Sequence, residues 1–307
     1  MPLLMVFIDG FGLGAAAPSN PLLTATMPFL RGLLSGKPFT GETIGEGIRE
    51  ADWLVRPTDA AMGVAGLPQS ATGQTAFLAG VNAAAIAGRH IHGFPTRALR
   101  EILNRSSLFK VIKDSGLSAV FANTFTEEYF TAVGRGKWRH SATTTAALAG
   151  DCRLPMIPDL LQGTAVYQDI TNELLREKGY LVPLYEPEQA AGHLLNLARQ
   201  HDFTLFEYFQ TDRCGHARDL AWAQTILNRL DRFIGTLIAT KAKELTVLVV
   251  SDHGNIEDLS VKTHTLNRVP TLVFGADLAP FETIHTLTNI YVAVLTALGI
   301  RHEASNV

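Results

Sequence analysis

The sequence predicts an α/β fold, a mostly parallel β-sheet with helices on both faces. Three observations carry that expectation. Short apolar runs rich in β-branched and aromatic residues recur along the chain, most of them ending in a polar residue. Stretches with apolar residues at three- and four-residue spacing alternate with them, as a sheet sandwiched by helices requires. The 307 residues, 47% hydrophobic and 18% charged, are ordinary for a globular protein with a well-filled core.

The elements follow in order. "LLMVFIDG" is the first strand and runs into Asp9. "GLPQSATGQTAFLAG", Gly66 to Gly80, packs three hydroxyls, Ser70, Thr72 and Thr75, behind a proline and ahead of an apolar run, the signature of a helix start. "SLFKVIKDSG" reads as a helix with Ser107 as N-cap and Gly116 as its stop, followed by the strand "LSAVFANTF" into Asn123. From about Thr126 to Glu186 the alternation fades, and the stretch reads as a small cap or insertion. "EPEQAAGHLLNLARQHD" resumes as a helix, "FTLFEYFQTD" as a strand into Asp212, and "DLAWAQTILNRLDRFIGTLIATKAK" as a long helix. "LTVLVVSDHG" runs into Asp252, "PTLVFGAD" ends at Gly275, and "TLTNIYVAVLTALGI" closes the chain as a helix. The expected division is therefore a core from 1–125 and 187–307 with a cap at 126–186.

Charge and composition narrow the function. A formal net charge of -3 argues against a nucleic-acid partner held by a general basic field. Two cysteines, Cys152 and Cys214, offer neither a disulfide framework nor a thiolate metal cluster, which points to a reducing compartment. The N-terminal apolar run breaks at Asp9 without the basic region or cleavage site of a signal peptide, and no run is long enough to cross a bilayer. The expectation is a cytoplasmic protein without a membrane partner. "GFGLG" does not have the spacing of a dinucleotide loop.

In open α/β sheets ligands bind at the carboxyl ends of the strands. Three expected strands end there in Asp9, Asp212 and Asp252, with His216, His253 and His264 close behind in "DRCGH", "SDHGN" and "KTHTLNRVP". Each residue alone has an ordinary explanation as a turn, cap or loop residue. Together, three carboxylates and three imidazoles on one sheet edge call for cations, and mixed Asp/His ligation suits Zn²⁺ or Mn²⁺ better than Mg²⁺ or Ca²⁺.

"FIDGFG", "PQSATGQTAFLAG", "TDRCGH", "VSDHGN" and "KTHTLNRVP", in that order, resemble the alkaline phosphatase superfamily of metalloenzymes. The branch most similar holds cofactor-independent phosphoglycerate mutase and phosphopentomutase. The resemblance implies an alkaline-phosphatase-like three-layer core and two divalent ions, Mn²⁺ or Zn²⁺, clamping a phosphoryl group. Asp9, Asp252, His253 and the oxygen of Ser70 would hold one ion, and Asp212, His216 and His264 the other. Ser70, three residues before Gly73, matches the nucleophile of these mutases. Thr72 and Thr75 then become capping or first-turn residues. After that glycine the mutases carry histidine, whereas this chain has Gln74, and the candidate cap is far smaller than theirs. The resemblance therefore implies phosphomonoester hydrolysis of a small phosphorylated metabolite through a phosphoserine. Phosphomutase, phosphodiesterase and a non-catalytic metal-stabilised binding protein are the alternatives. Arg89, Arg97, Arg135 and Arg139 are the candidates for gripping substrate. Cys214, between two expected ligands, reads as a small buried residue.

Overall fold

A computed structural model describes residues 1–301. Seven strands form one sheet: β1 (Leu3–Ile8), β2 (Ile48–Arg49), β3 (Trp53–Thr58), β4 (Ala119–Phe121), β5 (Phe203–Tyr208), β6 (Thr246–Val250) and β7 (Val269–Phe274), in the order β2-β3-β7-β6-β1-β5-β4. β4, β5, β1 and β6 pair in parallel. β7, β3 and β2 continue the sheet antiparallel. The change of direction has a local cause. Between β6 and β7 the chain makes no crossover helix but a long loop carrying "SDHGN" and "KTHTLNR", so it returns antiparallel.

β1 explains the two-sided burial. Leu4, Val6 and Ile8 face one core, which includes Leu194, Leu230 and Phe233 from helices Pro187–Ala198 and Leu220–Thr240. Leu3, Met5 and Phe7 face the other, with Phe77, Leu103, Phe109 and Leu295 from helices Ser70–Ala79, Arg97–Ser106, Leu108–Asp114 and Leu287–Ala297. A period-2 strand buried on both faces needs an unbroken apolar run, and "LLMVFI" supplies one. Ser107 caps helix Leu108–Asp114 by accepting from Lys110 N, and Gly116 follows with φ +78°, as the sequence implies.

The stretch 126–186 is not uniform. Its helix Ala142–Ala149 packs Ala142, Ala146 and Ala147 into the second core. Val166 exchanges backbone hydrogen bonds with Ala122 and Thr124, which prolongs the edge beyond β4. Leu160, Tyr167, Leu175 and Val182 form a small cluster of their own. No helix among the described residues is long and apolar enough to cross a membrane.

Candidate metal centre at the strand ends

β6, β1 and β5 are neighbours at the centre of the sheet, so the residues that follow them emerge side by side. Asp9 follows β1, Asp252 and His253 follow β6, and Asp212 lies in helix Gln210–Ala217 after β5. Two glycines permit the approach. Gly10 has φ +68°, and a Cβ there would lie 2.9 Å from Asp212. A Cβ on Gly73 would lie 2.8 Å from the Asp252 carbonyl, so the Ser70 helix can rest directly on the β6 loop.

His253 Nε2 is the hub. It lies 3.0 Å from Ser70 Oγ, 3.3 Å from Asp9 Oδ1 and 3.5 Å from Asp252 Oδ2. Beside it, Asp212 Oδ1 is 3.5 Å from His264 Nε2, and Asp212 Oδ2 is 3.4 Å from His216 Nε2. The His253 and His264 rings stack with centroids 3.6 Å apart. Two donor groups result, Asp9–Asp252–His253 and Asp212–His253–His264, each with its ligand atoms within 4.8 Å of one another. Thus the structure brings together all six carboxylates and imidazoles named from the sequence, with Ser70 among them. His216 joins through Asp212 and is the most exposed of the imidazoles, its side chain 39% accessible.

The supporting contacts orient these donors. His216 and His264 direct Nδ1 to backbone carbonyls, of Lys262 at 2.8 Å and of Pro68 at 2.7 Å. Each leaves its Nε2 lone pair facing the carboxylates, the usual arrangement of a metal-binding histidine. Asn255, which the sequence reading left without a role, donates Nδ2 to Asp212 Oδ1 at 2.6 Å and to the Asp212 carbonyl at 3.2 Å. Gln74 donates to Asp252 Oδ2 at 3.2 Å.

Electrostatics show what the cluster lacks. Burial pushes the Asp9 carboxyl well above its usual range, and Asp252, Asp212 and Glu207 push it further. Asp252 rises to about 7, first by burial and then by Asp212. Burial lowers His253 to about 4; His264 also falls to about 4, by burial and then by His253. Neutral imidazoles with free lone pairs cannot offset the carboxylates, and Asp9 Oδ1 is buried without a hydrogen-bond partner. A donor set of this composition and charge fits divalent cations. Asn255→Ala, which frees the Asp212 carboxylate to rotate, is expected to weaken metal affinity about 10- to 100-fold in a competition titration with a chelating dye.

Ser70 is the first residue of helix Ser70–Ala79; the N-cap is Gln69, so the serine is not consumed in capping. Thr72 donates to the Gln69 carbonyl and Thr75 to the Ala71 carbonyl, leaving both as first-turn residues. "GFGLG" packs on a carboxylate: Gly12 N donates to Glu257 Oε2 at 3.0 Å. Cys214 is fully buried, its thiol pushed up to about 12 by burial.

The arginines named from the sequence scatter. Arg97 pairs with Glu101 on the surface of its own helix, with its side chain 88% exposed. Arg135 lies in a shallow hollow with Glu127 and Glu128. Arg89 lines a surface hollow with Gln69, His90 and His92, next to Ser70 in sequence. Arg139 and an unforeseen residue, Arg213, line a cavity of about 830 Å³ beside the centre. Glu207 lines the same cavity and went unnoticed inside the apolar run of β5. Burial raises its carboxyl to about 7, with Asp252 adding and the Thr143 hydroxyl, donating at 2.7 Å, opposing. A carboxyl raised on folding contributes stability below its unfolded pKa and loses it as pH climbs through the folded one. Thermal melts of chelator-treated protein should therefore show wild type losing about 3 kcal/mol relative to Glu207→Gln between pH 4.5 and 8.

Fold and site together define an open-sheet α/β protein with a histidine–carboxylate centre at its strand ends. The model of the family described as "Metalloenzyme superfamily" matches residues 179–301. Over this segment the chain is similar to metal-dependent phosphomutases, and its fold is that of the alkaline phosphatases. It is 30% identical over 129 residues to the 2,3-bisphosphoglycerate-independent phosphoglycerate mutase of Mycoplasma pneumoniae, a match covering 38% of this chain and 25% of that one. It is 36% identical over 78 residues to the phosphopentomutase of Shewanella loihica, covering 25% and 19%. The chain thus spans about a quarter or less of the length of these relatives. Among solved structures, a Pyrococcus horikoshii protein superposes with a TM-score of 0.58 at 15% identity, and the alkaline phosphatase of the Antarctic bacterium TAB5 with 0.54 at 13%. Each superposition covers 98% of both chains. The family implies divalent metal cofactors.

Proposed function

We propose that the chain is a metal-dependent phosphomonoesterase that acts on a small phosphorylated substrate through a phosphoserine at Ser70. The observation that carries this reading is Ser70 Oγ at a helix N-terminus, 3.0 Å from His253 Nε2 and beside the buried carboxylates. Asp9, Asp252, His253 and Ser70 would hold one divalent ion and Asp212, His216 and His264 the other. Bound there, the two ions would supply positive charge for the transferring phosphoryl oxygens and lower the pKa of the serine hydroxyl.

The chain's own residues do the rest. The N-terminus of helix Ser70–Ala79 presents its positive dipole end to a phosphoryl dianion. Ser70 gives up its proton, its Oγ bonds to phosphorus and the ester P–O bond breaks, the leaving oxygen taking a proton. Water then cleaves the phosphoserine, releasing inorganic phosphate and restoring the hydroxyl. Gln74 holds Asp252 through its amide but cannot carry a proton as the mutases' histidine would, which favours water over a returning hydroxyl as acceptor.

The test is p-nitrophenyl phosphate turnover by chelator-stripped protein, with Mn²⁺ or Zn²⁺ restored and glycerol present as acceptor. Equal yields of nitrophenol and inorganic phosphate support hydrolysis. A phosphate deficit matched by glycerol phosphate would instead indicate transfer. Bound metal without nitrophenol release would leave a metal-stabilised binding protein.

A further inference from the structure

The cavity of about 830 Å³ lies over the carboxyl ends of β5 and β4, directly beside the centre built on β1 and β6. Two of its lining residues tie it to the centre, one by chain position and one by electrostatic proximity. Arg213 follows Asp212 in the chain, and Glu207 is close enough that it raises the Asp9 carboxyl while Asp252 raises its own. The volume lies in the range that encloses a ligand of drug size, far more than a three-carbon phosphoacid would fill.

Its wall is a continuous aromatic surface. Ring centroids of Phe121 and Phe125 are 5.9 Å apart, those of Phe125 and Tyr129 are 4.9 Å apart, and those of Tyr129 and Trp138 are 6.0 Å apart. Trp138, in contact with Tyr129, also lines the cavity and is 51% exposed. Tyr129 is fixed by His140, whose Nδ1 lies 2.8 Å from the phenol oxygen. Polar side chains are interspersed with these rings in the lining. Thr124 Oγ1 is buried, lines the cavity and has no hydrogen-bond partner. A buried hydroxyl left unmatched costs free energy unless a ligand meets it. Glu207 adds a buried carboxyl, which accepts from the Thr143 hydroxyl at 2.7 Å. Arg139 and Arg213 add cationic forks.

We propose that this cavity is the subsite for the non-reacting part of the substrate and takes a nucleoside, its base stacked on the Tyr129–Trp138 wall, so that the chain acts on nucleoside monophosphates. A flat ring with a hydrogen-bonding edge matches an aromatic wall flanked by polar side chains; an aliphatic polyol would strand the aromatic surface in contact with hydroxyls. The assignment rests on the phosphoryl-transfer reading above, and the experiment separates the two.

With metal restored, phosphate release is measured from adenosine and uridine 5′-monophosphates and from glycerol 3-phosphate. Binding of adenosine and uridine alone is followed by tryptophan fluorescence. Expected are a kcat/KM at least tenfold higher for a nucleotide than for glycerol 3-phosphate, saturable quenching by the matching nucleoside, and a collapse of that preference about tenfold in Trp138→Leu and in Thr124→Val. Equal kcat/KM for all three esters with no quenching would overturn the nucleoside subsite while leaving phosphoryl transfer intact. Quenching lost in Thr124→Val, with no phosphate released from any ester, would uphold the subsite and overturn phosphoryl transfer. Trp138 is half exposed, so its replacement tests the wall without emptying the core.

Discussion

Ser70→Ala is expected to lower metal-dependent hydrolysis of p-nitrophenyl phosphate by about a thousandfold or more while leaving the fold and most of the metal affinity in place. The reasons are separable. Losing a nucleophile removes the covalent route altogether, a cost that in other nucleophilic hydrolases far exceeds that of losing a positioning group. Losing the hydroxyl costs the structure little, because Ser70 sits at the first helical position and Gln69 is the N-cap. Alanine is a good helix former, and its methyl group needs no new space. Two measurements check this: nitrophenol release under saturating metal, and the metal-induced rise in melting temperature, which should persist in the variant. If Ser70→Ala retained a tenth of the activity, Ser70 would not be the nucleophile. Thr72 and Thr75 could not replace it, since both donate to carbonyls of their own helix.

The contrast between Ser70 and the arginines shows what a sequence can disclose. The carboxylates and imidazoles were legible because an open α/β sheet delivers the ends of neighbouring strands to one edge, and Asp9, Asp252 and Asp212 closely follow buried apolar runs. Arg97 was named for its nearness to Ser70 in the chain, but it opens a new helix and turns to Glu101 in solvent. Glu207 was hidden by its context: inside "FTLFEY" a lone carboxylate looks like strand texture, and its neighbours Thr143 and Asn123 come from distant segments. The same holds for the aromatic wall, which joins residues around β4 to Tyr129 and Trp138. β1, β5, β6 and β7 could be read from their apolar runs. β3 escaped because "WLVRPT" carries Arg56 and Pro57; the proline is tolerated where it faces Pro270 across an antiparallel pair. The cap reading of 126–186 missed that an alanine- and threonine-rich helix can lie against the core with only small side chains facing inward.

Asp9→Asn should move stability and activity in opposite directions. Asp9 is buried, its Oδ1 has no hydrogen-bond partner, and Asp252, Asp212 and Glu207 crowd it with like charge. Its folded pKa is raised, so its contribution to stability is present at low pH and lost as pH rises through that value. Above that pH, without metal, the ionised group opposes folding. The amide removes that charge and should raise the melting temperature of chelator-treated protein by a few degrees, on the order of 2 kcal/mol. As pH falls below the raised value both forms become neutral and the difference should close. Added Mn²⁺ or Zn²⁺ reverses the ranking. Wild type gains about 4 kcal/mol at a thousand times its dissociation constant, worth roughly 10 °C for a chain of this size. The variant, short of one anionic donor, gains much less and loses at least about a hundredfold in turnover. Melting curves below and above the raised Asp9 pKa, with and without metal, give the whole comparison. A variant less stable than wild type in the chelated state above that pKa would mean that Asp9 earns its place through contacts other than a cation. A wild type indifferent to metal would remove the centre itself.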